Sequence, residues 1–246
     1  MGQVIAITSG KGGTGKTTIC AAVASCLAAE GKRVLCIDAD MGLRNLDISL
    51  GMAELAPISF ADVLFERYSL SEATPHPDIP NLFLLSAPVA EHPETICFQD
   101  FGALLETVRE YFDFCLIDSP AGIGDGFHFA TLFADRVILV ATADPASLRD
   151  AAGTADQLRL MGKQDLRLVV NRITPRLFRR LNWTVDDIMD QTGLQLLGLI
   201  PADDHVVMAA AANRALIRYT DLGASLGCLH IARRLMGKKV PLLRIR

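Results

Sequence analysis

Val4-Ile5-Ala6-Ile7-Thr8-Ser9-Gly10-Lys11-Gly12-Gly13-Thr14-Gly15-Lys16-Thr17-Thr18 joins an apolar run, a glycine-rich loop and the first residues of a helical pattern. Gly10, Gly15, Lys16 and Thr17 satisfy GxxxxGK[ST], in the strand–loop–helix setting that this pattern needs. Glycines at 10, 12, 13 and 15 let the backbone turn sharply, so that its N–H groups, with that of Thr14, can face phosphate oxygens. The helix that follows adds the partial positive charge of its N-terminus. Lys16 is placed to neutralise β- and γ-phosphates, Thr17 to offer its hydroxyl to Mg²⁺, and Thr18 to touch an α-phosphate. The expected ligand is a nucleoside triphosphate with its metal.

Outward from the loop, short apolar runs alternate with helical patterns. Runs at 4–8, 34–38, 82–85, 114–118, 137–141, 166–171 and 196–200 are rich in Val, Ile and Leu, apolar on successive positions. Parallel strands covered on both faces read this way. Amphipathic segments at 17–29, 98–111, 146–161 and 185–192 lie between them, and a last helix is expected at about 221–236. Thr184 and Gly193 are suited to cap the segment at 185–192. The fold class is therefore α/β, a P-loop NTPase with a mostly parallel central sheet and helices on both faces. Residues 1–246 read as one domain, with 232–246 a basic tail. The stretch 69–81, with prolines at 75, 77 and 80, reads as a surface connection. Ligands of such a sheet bind beyond the carboxyl ends of its strands.

Composition narrows the function classes. Of 246 residues, 50% are apolar and the formal net charge is -4, which disfavours nucleic-acid binding through bulk positive charge. Cys20, Cys26, Cys36, Cys97, Cys115 and Cys228 form no CxxC pair and are expected to be reduced, mostly buried thiols of a cytoplasmic protein. The apolar run at 4–7 is too short for a signal peptide, and no stretch approaches the ~20 apolar residues of a membrane span.

Acids stand where strands end. Asp38 and Asp40 close the second run, and Asp118 closes the fourth in the arrangement that holds Mg²⁺ through water. Two carboxylates beside bound phosphates suit metal and water positioning.

Lys11 departs from a plain phosphate loop. The string Lys-Gly-Gly-Thr-Gly-Lys-Thr-Thr at 11–18 resembles the deviant Walker A motif of the MinD/ParA family. The string Gly42-Leu43-Arg44-Asn45-Leu46-Asp47 and the string Asp118-Ser119-Pro120-Ala121-Gly122-Ile123 resemble its MinD-like branch. The resemblance runs from residue 4 to about 236. It implies an ATPase that closes as an ATP-bound homodimer and acts in placing the division septum. It implies that Lys11 reaches the partner copy's nucleotide, that Asp40 orients the attacking water, that Asp38 supports the metal shell, and that Asp47 belongs to a first switch region. It gives Asn171, with Arg172, the adenine edge, and places Pro201 and Asp203 beside the ring.

The same resemblance makes 147–150 (Ser-Leu-Arg-Asp) a docking segment for MinC-like and MinE-like division regulators, although Ala151-Ala152 replaces a pair that is commonly more polar. It also implies reversible association with an anionic membrane on its cytoplasmic side. Here the tail is basic, with no acid after Asp221, but Gly237 and Pro241 interrupt any terminal helix. Two other readings stay open at this level. One is a ParA-like or flagellar-number ATPase that positions DNA or protein cargo. The other is a metabolic or iron–sulfur ATPase on the same fold, for which Cys97 is the candidate surface thiol.

Overall fold

A computed structural model describes residues 1–89, 96–181 and 183–243. In chain order its strands are β1 (Gln3–Thr8), β2 (Val34–Asp38), β3 (Thr74–Pro75), β4 (Leu82–Leu85), β5 (Phe114–Asp118), β6 (Arg136–Thr142), β7 (Leu166–Ile173) and β8 (Gln195–Pro201). Its helices are α1 (Lys16–Ala29), α2 (Leu46–Leu50), α3 (Phe60–Leu64), α4 (Phe98–Tyr111), α5 (Asp125–Thr131), α6 (Pro145–Leu160), α7 (Pro175–Leu181), α8 (Val185–Thr192), α9 (His205–Ala211), α10 (Leu216–Tyr219) and α11 (Gly223–Leu235).

The strands form one sheet in the order β3-β4-β2-β5-β1-β6-β7-β8. All neighbours are parallel except β3 and β4, which pair antiparallel. All seven expected runs are strands, and helices cover both faces. Alternate residues feed two cores. Ala6, Ile37, Ile117, Leu139 and Val170 join Phe60, Phe101, Phe127 and Phe129 on one side. Ile7, Cys36, Leu116, Ile138 and Val169 join α1 and α11 on the other. Each fully buried aliphatic side chain contributes roughly 1.5–3 kcal/mol, so both faces are strongly determined. Phe101 and Phe129 stack with ring centroids 4.1 Å apart.

Helix α1 differs from the expectation of an amphipathic helix. All of its side chains from Ile19 to Ala28 are buried. Its small residues, Ala21, Ala22, Ala24 and Ala28, let α11 and α2 pack closely over the side that would otherwise face water. The loop-bearing helix is therefore central.

The stretch 69–81 also carries more structure than a surface connection. It contains β3 and a buried histidine, His76, whose Nε2 lies 2.8 Å from the Leu50 carbonyl oxygen. Its Nδ1 accepts the N–H groups of Asp78 and Ile79. The ring thus ties this stretch to α2.

The last helix ends at Leu235, and Gly237 takes a φ of 78°. The tail then turns back. Arg234 donates to the Val240 carbonyl at 2.9 Å and to the Leu197 carbonyl of β8 at 2.5 Å. Glu30, just beyond α1, receives Arg233 at 2.8 Å and Lys238 at 2.5 Å. The basic residues Arg244 and Arg246, with Ile245, lie outside the described residues. No described helix is long and apolar enough to cross a membrane.

Candidate functional site

The loop between β1 and α1 sits at the carboxyl ends of the parallel strands. Gly15 caps α1 with a φ of 91°, a left-handed conformation that costs a residue with a Cβ about 1–2 kcal/mol. No side chain caps the first turn of α1, so its N–H groups remain available to an anion. Lys16 is buried beneath the loop at 8% exposure.

Asp38 and Asp118 lie side by side, in register on β2 and β5. Both are buried. Burial, joined by the charge of Asp38, pushes the Asp118 carboxyl up to about 8, although Thr17 and Lys16 favour its charged form. Burial likewise pushes Asp38 up to about 6. Their surroundings separate their duties. Asp38 accepts the Asp40 N–H at 2.9 Å and the Leu46 N–H at 3.2 Å, one on each oxygen. It fixes the segment 40–46. Asp118 Oδ1 is buried with no hydrogen-bond partner among the described residues, as are the hydroxyls of Thr8 and Thr14. Orphaned buried polar atoms gathered round a phosphate loop mark a binding site. With the Thr17 hydroxyl facing Asp118, they form an oxygen donor set suited to a hard divalent cation carried by phosphates.

These two acids make the nucleotide-free protein sensitive to pH. Between the unfolded value of 3.8 and about 8, native Asp118 keeps a proton that the unfolded chain has shed. The native state binds more protons, so stability falls as pH rises through this window, and the contribution of the Asp118 proton is gone above about 8. The urea midpoint of the nucleotide-free protein should fall between pH 6 and pH 8. Asp118→Asn should flatten that slope, and an equal slope in the variant would refute the assignment.

Asp40 is half-buried, and its Oδ1 accepts the N–H groups of Gly42 at 3.2 Å and Leu43 at 3.1 Å. Asp47 lies in the first turn of α2. Arg44 between them has a φ of 46° and a buried Nε without a hydrogen-bond partner among the described residues. This segment, just after β2, carries strain and an unsatisfied donor.

The expected base residues do meet. A slot of about 230 Å³ beside the loop is lined by Gly15, Thr18, Asn171, Arg172, Pro201 and Asp203. Asn171 is already engaged: its Nδ2 donates to the Thr14 carbonyl at 2.8 Å and its Oδ1 accepts the Arg172 N–H. It holds the loop as well as lining the slot. Asp203 accepts from Ala224 at 2.8 Å and from His205 Nδ1 at 2.7 Å, which ties α9 and α11 to the end of β8. Sequence reading missed Cys228, Val206 and Leu216 as lining residues, since nothing in their spacing connects them to the loop.

Lys11 stands outside this cradle. Its side chain is 37% exposed, and Nζ lies 3.3 Å from Asp144 Oδ1. Gly10 touches α6: a Cβ there would stand 2.6 Å from the Asp150 carbonyl oxygen and 2.7 Å from Thr154 Oγ1.

Residues 5–217 match the profile of the CobQ/CobB/MinD/ParA nucleotide binding domain. The septum site-determining protein MinD of Synechocystis sp. is 36% identical over 247 residues, covering 99% of this chain and 92% of that protein. A chain of the MinC:MinD cell division protein complex of Aquifex aeolicus superposes with a TM-score of 0.90 at 35% identity, covering 98% of this chain and 99% of that one. MinD from Pyrococcus horikoshii, solved with Mg-ADP, gives a TM-score of 0.83 at 27% identity over 96% of each chain.

Proposed function

The chain belongs to the CobQ/CobB/MinD/ParA nucleotide-binding family, and from that premise we propose that it is a MinD-like ATP-dependent dimerising switch in division-site placement. One observation carries the reading. The loop has one lysine in and one lysine out: Lys16 is buried under it, while Lys11 is held at the surface against α6. The inner lysine serves the chain's own phosphates. The outer lysine is presented to a second copy.

In this reading Gly10, Gly12, Gly13, Thr14 and Gly15 supply the backbone cradle, with Lys16 neutralising the phosphates. Thr17 and Asp118 hold Mg²⁺, which screens the phosphate charge when bound, and Asp38 fixes the segment that carries Asp40. Asp40 orients the attacking water and draws its proton. Asn171, Arg172, Pro201 and Asp203 receive the base in their slot. ATP sustains the homodimer, and hydrolysis to ADP and phosphate releases it. MinC-like and MinE-like regulators dock on α6, which packs against the loop at Gly10 through Asp150 and Thr154. The basic residues after α11 meet an anionic membrane once Arg233 and Lys238 leave Glu30.

Lys11→Ala tests the dimer directly. ATP affinity, read by titration with a fluorescent analogue, should stay within about threefold, the scale of a single exposed charge. Sedimentation should show no ATP-dependent dimer, and hydrolysis should fall by about 10²-fold or more, as when a transition-state charge partner is removed. Equal loss of binding and dimerisation would mean that Lys11 acts on its own chain's nucleotide only.

A further inference from the structure

Helix α4 and the segment that follows α3 leave a groove of about 710 Å³ between them. It shares no residue with the phosphate loop or the base slot. On one side α4 presents Asp100, Ala103, Leu104, Thr107 and Tyr111, the spacing of a single helical stripe. On the other stand Val63, Leu64 and Leu70, each only partly buried. From Asp100 to Tyr111 the stripe runs about 16 Å at ~1.5 Å per residue, the reach of roughly five extended residues.

The two ends of the groove differ in charge. Arg33 closes the end at Tyr111 and Phe112. Its guanidinium lies 5.2 Å from the Phe83 ring centroid and 5.1 Å from that of Phe112. The neighbouring carboxylate, Asp113, is spent elsewhere: Oδ2 accepts the Arg33 backbone N–H at 2.8 Å, and Oδ1 receives Lys32 Nζ at 3.5 Å. The guanidinium is thus held by two rings and paired with no acid among the described residues. Asp100, in the first turn of α4, marks the other end and has no cation on it among the described residues. Glu66 lines the groove as well. One cation against two acids disfavours a polyanion such as a nucleic acid or a lipid surface.

We propose that this groove binds an extended segment of a partner protein. The segment is apolar at its centre, gives a carboxylate to Arg33, and carries a basic side chain about five residues away for Asp100. Exposed Tyr68 and Tyr111 beside an arginine have the composition of a binding hot spot. The rings already orient the guanidinium, so little freedom is lost when a carboxylate arrives.

A displayed library of random heptapeptides is the probe. Selection on the full chain should yield a shared pattern, an acid and a base about five positions apart with apolar residues between. For a synthetic peptide of that pattern, Arg33→Ala should weaken binding about tenfold or more, and so should replacing the peptide's acid by its amide. On Arg33→Ala protein the amide replacement should cost less than about twofold, because the two changes remove one contact. Ala103→Trp fills the middle of the groove from an exposed helix position, leaves Arg33 in place and should abolish binding. Both variants should bind ATP like the parent, which verifies their folding. Failure to select a pattern, a pattern without the acid, or peptides that bind both variants as tightly as the parent would overturn the proposal.

Discussion

Asp40→Ala is expected to hold the protein as an ATP-bound dimer, with hydrolysis slowed by about 10²–10⁴-fold, the range lost when a positioned proton acceptor is removed. The structure explains why binding should survive. Asp40 contributes no anchor to the phosphate loop; its Oδ1 is spent on the local N–H groups of Gly42 and Leu43. The segment that carries it is fixed chiefly by Asp38, which grips both Asp40 N–H and Leu46 N–H and is untouched by the substitution. Losing a negative charge near the phosphates also favours ATP electrostatically. Size exclusion should therefore show a stable dimer with ATP and a monomer with ADP, while phosphate release nearly stops. A monomer at saturating ATP, or hydrolysis at the parent rate, would count against the assigned roles.

The second large effect is expected for Gly15→Ala. Gly15 has a φ of 91°, and its added Cβ would run into the Asn171 side-chain amide. The left-handed conformation alone costs about 1–2 kcal/mol. Asn171 would also have to swing away and give up its bond to the Thr14 carbonyl, a further ~0.5–1.5 kcal/mol. The sum is about 1.5–3.5 kcal/mol, or a Tm lower by roughly 3–14 °C for a chain of this size. ATP affinity should fall by about 100-fold or more, because charge-assisted bonds from the first turn of α1 lose their aim. A thermal scan and a nucleotide titration read the two effects separately. Unchanged values in both would mean that the loop does not adopt this conformation.

The frame of the protein was legible because its strands are buried on both faces. Uninterrupted apolar runs such as Phe114–Asp118 and Val34–Asp38 have no competing reading. The phosphate loop was legible because all its chemistry is contiguous. Short helices were not: α5, α7 and α9 each span seven residues, too few to show a period, and packing sets them rather than propensity. The amphipathic reading of α1 failed for a related reason, since only the tertiary arrangement of α11 and α2 decides whether an outer face meets water. In the site, what stayed hidden was pairing over distance. Lys11 and Asp144 are separated by 133 positions, and Asn171 and Thr14 by 157. Nothing local to Asp144 shows that this carboxylate both caps α6 and receives the lysine. Asp38 read as a metal-side acid, and its second task, gripping the segment 40–46, depends on a fold-back that no spacing encodes.

The two margins of the sheet set how copies of this chain can meet. At one margin β3 is only two residues long and ends in Pro75, which has no N–H to offer a further strand. At the other, the Arg234 guanidinium already occupies the Leu197 carbonyl of β8. Both sides are thus poor templates for lateral growth, which guards against the runaway strand addition that open sheets invite. In the dimer reading proposed above, self-association falls instead to the rim where the parallel strands end, and there it is conditional on a small molecule. A protein that must cycle between separate and paired forms needs that restriction: contacts that form without nucleotide would be contacts that hydrolysis cannot undo.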